Sequence, residues 1–386
     1  MAESESRGNG LALMARDLPP AALFVFVTLM GSLCWVLTKV LVLKIEAYAE
    51  GDDSTKSDLV IRVALFTTWA TSLGASLSWA ISEVPAPDKG EEQLPLQTPE
   101  AAMSDGVAKS SYSYTQLFLD ALPFVVLFDL YCIFQSAGLL FLSVSVVTTD
   151  SYAAMMLATG ILSRALLGTE FNGKQVAGLC FIVLALALIG IVQEAFNIAD
   201  DDSTTGAVEN GVTNATVGLI CTLLAGCCYA CTNVTMQRYL QSSPVDAFTL
   251  TAAYSLLAFI SMTLVIYPVM WLVGTSETPM EWWPEIQTAP AIFVSFVLAK
   301  LVWYNFEAVL VQKLGAVWAA VSGVALIAPA WAAELIAAYA YNADFGSKWQ
   351  TPDSYLQLSI FCSLAIGVAI YNDIPVVGLC GSLMGC

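Results

Sequence analysis

The chain contains no histidine. That removes bis-His haem, His-ligated chlorophyll and the usual zinc sites, and leaves any proton chemistry to carboxylates, lysine or tyrosine. Positive charge is scarce as well. Against 32 Asp+Glu stand 14 Lys+Arg, a net charge of −18, which argues against nucleic acid or an anionic membrane surface as partner. Charged residues of both signs make up only 12% of the 386, where a soluble domain carries about 25%. There is no GxGD motif beside Phe128-Asp129, so an intramembrane aspartyl protease is excluded. Lys300 and Asp129 match the residue types of a retinal protein, but two further apolar spans follow the lysine, which a seven-helix retinal protein lacks. No enzyme chemistry is expected, no catalytic residue is assigned, and no cofactor or metal ion is called for.

What fills the chain is apolar: 58% hydrophobic residues and a mean hydropathy of +0.72 make it an integral membrane protein. A bilayer core about 30 Å thick needs roughly 20 apolar residues per helix. By that measure the expected architecture is all-α and polytopic, with ten spans at 21–43, 60–81, 117–141, 144–167, 175–194, 216–238, 247–273, 290–312, 316–341 and 355–377. Residues 1–20 form a cytoplasmic N-terminal segment without a cleavable signal pattern. Residues 83–116, rich in Pro, Glu, Ser and Gln, read as a flexible cytoplasmic loop inside a first five-helix repeat at 21–194. An acidic lumenal linker at 195–215, a second repeat at 216–377 and a cytoplasmic tail at 378–386 complete the chain. Lys and Arg set the orientation. Arg7, Arg16, Lys89, Lys109, Arg164, Lys174, Arg238 and Lys313 fall on one side, whereas loops 195–215 and 274–289 carry no Lys or Arg, so both termini are placed in the cytosol. Asn214 in Asn214-Ala215-Thr216 is a lumenal glycosylation candidate. The ten cysteines lie in apolar spans or the tail, so no lumenal disulfide is expected, and Cys380 and Cys386 are acylation candidates.

The first span contains Cys34-Trp35-Val36-Leu37-Thr38-Lys39-Val40. Half a chain later comes Cys228-Tyr229-Ala230-Cys231-Thr232-Asn233-Val234. Identity at Cys, Thr and Val, with aromatic and polar positions kept, is what a duplicated gene leaves. An odd number of spans lies in each half, so the copies are inverted, the arrangement many transporters use to open alternately to each side.

Ionisable residues at membrane depth mark functional sites. In the eighth span Lys300, Tyr304 and Glu307 stand at i, i+4, i+7, one stripe of a helix. In the third, Asp129, Cys132 and Ser136 make a matching polar face. Asp129 is expected to pair with Lys300 across a central cavity, with Asp129 or Glu307 carrying a coupled proton. Lys39, Trp35, Tyr229, Asn233 and Glu334 complete the candidate substrate-binding set, Glu334 following a kink at Pro329. Asp120 reads as structural and Asp150 as a helix cap.

Several short stretches carry a family likeness. Leu122-Pro123 before Asp129, Gly138-Leu139-Leu140-Phe141-Leu142-Ser143 with Thr148-Thr149, Leu166-Leu167-Gly168, the Gly178 to Gly190 span, the Thr38-Lys39 end of the first span and the closing Gly367-Val368-Ala369-Ile370-Tyr371-Asn372 resemble the drug/metabolite transporter superfamily. Within it the chain is most similar to the solute carrier 35 F-type and chloroquine-resistance-transporter-like branch. The resemblance implies a 5+5 inverted repeat moving a small polar solute by alternating access, usually in an endomembrane (Golgi, vacuole or lysosome), with the plasma membrane as the second option. It implies that helices one to four and six to nine line the cavity. The interior acids Asp129, Glu307 and Glu334 outnumber the lysines, which favours a cationic, zwitterionic or peptide-like solute over a nucleotide sugar. A nucleotide-sugar antiporter is the runner-up, and a non-transporting membrane scaffold or accessory subunit the reading from another class. The partners expected are the solute and the lipid bilayer, with room for a homodimer.

Overall fold

The computed structural model describes residues 10–49, 56–81, 114–142, 144–168, 170–200, 214–243, 245–272, 290–340 and 353–371. It is all-helical, with no strand among these residues. The elements are α1 (Gly10–Asp17), α2 (Pro20–Ala49), α3 (Lys56–Ser76), α4 (Ser78–Ile81), α5 (Tyr114–Phe141), α6 (Val144–Leu167), α7 (Gly173–Asp200), α8 (Asn214–Ser242), α9 (Ala247–Ser261), α10 (Tyr267–Leu272), α11 (Pro290–Leu314), α12 (Ala316–Ala325), α13 (Ile327–Ala340) and α14 (Asp353–Tyr371). A π-helical turn, Met262–Ile266, joins α9 to α10.

Seven helical stretches are long and apolar enough to cross a bilayer: Pro20–Leu41, Tyr114–Leu139, Thr216–Ser242, Ala247–Val269, Pro290–Leu314, Ala316–Ala333 and Ser354–Tyr371. The protein is therefore a multi-pass membrane protein. The other three expected spans fall on α3, α6 and α7, which miss that criterion among the described residues. The apolar part of α7 is short there, Gly173–Ala185. Helices α3 and α6 instead bury polar groups: Thr67, Thr68, Thr71 and Ser72 on one, Thr148, Thr149, Asp150 and Ser151 on the other. Asp150 lies well inside α6 and is fully buried, so it is not the cap its position suggested. Helix α7 runs on to Asp200 and takes in the start of the acidic linker, while Asn214 opens α8. The remainder of that linker, loop 83–113 and the tail with Cys380 and Cys386 lie outside the described residues. The eight cysteines described are free thiols.

Hydroxyls inside an apolar bundle need acceptors, and the nearest is the carbonyl one turn back. Thr28 donates to Phe24 O at 2.9 Å, Thr68 to Ala64 O at 2.6 Å and Thr222 to Gly218 O at 2.6 Å. The duplicated heptapeptides do the same: Thr38 donates to Cys34 O at 2.7 Å and Thr232 to Cys228 O at 3.0 Å. Pro329 has no N–H to give the carbonyl of Ala325, and the helix breaks there, between α12 and α13. Pro123, by contrast, sits within an uninterrupted α5.

Packing sets which helices reach the centre. Helix α8 lies against α5 and α6, α2 against α11, and α3 against α5, α9 and α11, while α7 pairs with α14. At one end the elements are tied by polar contacts. Asp246 caps α9 by accepting from Thr249 N at 2.9 Å and pairs with Arg16 at 2.8 Å. Lys313 donates to the carbonyls of Arg16 and, at 3.2 Å, Leu18, and Gln237 caps α12 by accepting from Ala316 N at 2.8 Å. Asp120 accepts from Tyr239 at 3.1 Å, which joins α5 to α8 and bears out its structural reading.

The close approach of α6 and α8 offers a test of this arrangement. A Cβ on Gly226 would lie 2.2 Å from the Ser151 carbonyl oxygen. Gly226→Val must push the helices apart. The expected cost is about 1–3 kcal/mol, read as a fall in the thermal midpoint of the purified protein in detergent. An unchanged midpoint contradicts the crossing.

Candidate functional site

The eighth expected span is α11, and its stripe is buried: Lys300 is 2% exposed, Tyr304 3% and Glu307 4%. Side chains from α2, α5, α6, α8 and α9 converge on it. Lys300 leaves α11 where α3 comes close, because Gly74 has no side chain; a Cβ there would stand 2.6 Å from Val297 O and 3.1 Å from Lys300 Cβ. The ammonium lies over three rings of its own helix, 5.4 Å from the Phe296 centroid, 5.1 Å from Trp303 and 5.7 Å from Tyr304. Among the described residues it has no hydrogen-bond acceptor and no carboxylate within ion-pair distance, although Glu307 is near enough for the two charges to be felt.

Glu307 is held differently. Its carboxylate accepts a hydrogen bond from Tyr229 OH on α8, with Asn233 one turn further along that helix beside it. The Tyr229 ring stacks on Tyr131 of α5, centroids 4.3 Å apart and planes within 9°. Tyr152 of α6 and Tyr254 of α9 also stand within electrostatic reach of the carboxylate. Trp35 enters at one remove, donating its indole N–H to Tyr152 OH at 3.0 Å. The result is one acid fenced by phenols and one amine fenced by ring faces, on the same side of one helix.

The expected pairing of Asp129 with Lys300 is not made. One residue earlier, Phe128 takes the position facing α11, its ring 5.2 Å from Tyr304. A step of one residue turns a helical side chain by about 100°. Asp129 is thereby aimed at α9, where it accepts a long hydrogen bond from Ser261 at 3.4 Å beside the π-helical turn, and its other oxygen is unpartnered. Of its polar face, Cys132 borders Lys300, while Ser136 accepts from Thr67 on α3. Lys39 donates to Leu139 O at 3.2 Å, in the last turn of α5, and so binds backbone near one end of that helix. Glu334 lies on α13, and its side chain is outside the described set.

The structure thus gathers Lys300, Tyr304, Glu307, Tyr229, Asn233 and Trp35, and leaves Asp129, Ser136 and Lys39 at its margin. Sequence reasoning missed Tyr131, Tyr152, Tyr254 and Trp303. A signal existed for Tyr152, which closes the polar run Thr148-Thr149-Asp150-Ser151 inside an apolar helix. Tyr254 offered none, since aromatics are common on buried helix faces.

Two substitutions separate the roles of the two charges. Tyr229→Phe leaves a buried carboxylate oxygen without its donor and is expected to lower stability by about 1–3 kcal/mol. Lys300→Met keeps an unbranched apolar stem one atom shorter and removes an unaccepted buried ammonium. It is expected to be neutral or to raise stability, by on the order of 1–4 kcal/mol. Thermal midpoints in detergent check both; a marked fall for Lys300→Met would make the lysine a structural cation.

Comparison with known proteins adds little to this geometry. No family model matches the chain, and no curated protein matches it. Among solved structures, one described only as a protein crystal structure superposes with a TM-score of 0.42 at 15% identity, over 90% of this chain and 98% of that one. A likeness that loose bears on neither fold family nor function.

Proposed function

We propose that the protein is a secondary transporter that moves a small polar organic solute across an endomembrane by alternating access. The observation that carries this reading is the buried stripe of α11, with Tyr304 and Glu307 met by side chains of α5 and α8 and Lys300 buried beside them. A scaffold gains nothing from an amine and an acid held separately in an apolar interior, where each is costly; a solute that meets both does.

The inverted 5+5 arrangement of ten spans is part of the proposal, and helix pairing supports it. Exchange α2 with α8, α3 with α9, α5 with α11, α6 with α12–α13 and α7 with α14. The contact of α2 with α11 then becomes that of α8 with α5, and that of α3 with α11 becomes α9 with α5. The contact of α3 with α5 becomes α9 with α11, that of α6 with α8 becomes α12–α13 with α2, and α3–α9 and α7–α14 map onto themselves. The matching Thr38 and Thr232 bonds support it at residue level. By analogy with the resemblance seen in the sequence, the drug/metabolite transporter fold is the form proposed, with both termini in the cytosol. Asp129, beside the π-helical turn and with one oxygen unpartnered, is the proposed proton-coupling group, with Glu307 next to it in that role.

The test is uptake by purified protein in liposomes, screened with cationic, zwitterionic and nucleotide-sugar solutes with and without a pH gradient. A solute taken up by wild type is expected to be lost at least tenfold in Glu307→Gln, which keeps the Tyr229 contact but not the charge, and Asp129→Asn is expected to abolish the response to the gradient. Uptake indifferent to both substitutions contradicts the proposal.

A further inference from the structure

Buried donors outnumber acceptors around Lys300. Tyr131 OH and Tyr304 OH are buried with no carboxylate or carbonyl oxygen to donate to. The ammonium of Lys300 has no acceptor among the described residues, and the charged acceptor nearby, Glu307, already takes the Tyr229 proton. Three ring faces do not replace an anion, because a desolvated cation gains less from a ring face than its burial costs. What the cluster lacks is one negatively charged acceptor.

Taking the cluster as the solute site, as proposed above, we infer that Lys300 receives a carboxylate carried by the solute. Carboxylate oxygens can accept from an ammonium and from hydroxyls together, and Tyr304 and Tyr131, whose hydroxyls meet nothing stronger than each other and the Cys132 thiol, can supply theirs. The single charge matches: one amine calls for one carboxylate, whereas a phosphate dianion would leave a charge uncompensated in an apolar interior. The rings of Trp303, Tyr304 and Phe296 around the amine favour a flat apolar body next to the acid group. This narrows the solute to a carboxylate-bearing organic molecule.

The experiment measures the thermal midpoint of the full chain in detergent with matched probes: benzoate and 3-phenylpropionate, their carboxamides, benzylamine and inorganic phosphate. At least one carboxylate is expected to raise the wild-type midpoint by a few degrees while its amide and phosphate do not. The rise should vanish in Lys300→Met and persist in Arg16→Gln, which changes only the exposed pair with Asp246 outside the cluster. The inference is overturned if no carboxylate shifts the wild type, if amide and acid act alike, or if Lys300→Met responds as the wild type does. If Lys300→Met does not fold, the wild-type difference between acid and amide decides alone. Carboxylate binding without uptake into liposomes would retire the transport reading and keep this one; uptake of amines with no carboxylate response would do the reverse.

Discussion

An amine and an acid buried on one helix are the constraint around which this fold is arranged. Neither is stable alone in an apolar interior. The protein meets the two demands unequally: Glu307 takes the phenol of Tyr229, while Lys300 has only the faces of three rings. The neighbouring helices follow from that choice. Helix α3 comes close at Gly74 to cover the stem of Lys300, and α5 and α8 bring a stacked tyrosine pair to the acid. The unequal treatment is what makes the stripe read as a site rather than as a structural ion pair, which would have brought the two charges together.

Away from the centre, polar groups are satisfied locally. The hydroxyls of Thr28, Thr68, Thr222 and Thr232 bond back one turn within their own helices, so these groups do not compete for the central ones. At one end α1, α8, α9, α11 and α12 are joined by Arg16, Asp246, Lys313 and Gln237. The bundle is thus fastened at one end, and a π-helical turn lies beside the buried carboxylate of Asp129.

Much of the helical layout was legible because length and apolarity leave little choice for a chain in lipid. The α11 stripe was legible for the same reason, as Lys300 and Glu307 have no ordinary place there. The partner of Lys300 was misread because sequence gives depth along a helix but not rotation to within one residue, and at α5 that step put Phe128 where Asp129 was expected. Helices α3 and α6 were read as apolar spans, and the structure adds that each buries a run of polar side chains, Asp150 among them. Tyrosines such as Tyr254 escaped notice because a phenol on a helix resembles packing until its neighbours are known.

The transport proposed for this protein requires the α11 stripe to face a water-filled route that opens to each side of the membrane in turn. Its most direct test places one cysteine at Tyr304 in an otherwise cysteine-free, folded protein and exposes sealed vesicles to a small membrane-impermeant thiol reagent, from outside and from within. Labelling from both sides, slowed by the solute, is expected. Reaction from neither side, with a lipid-soluble reagent labelling freely, would contradict it.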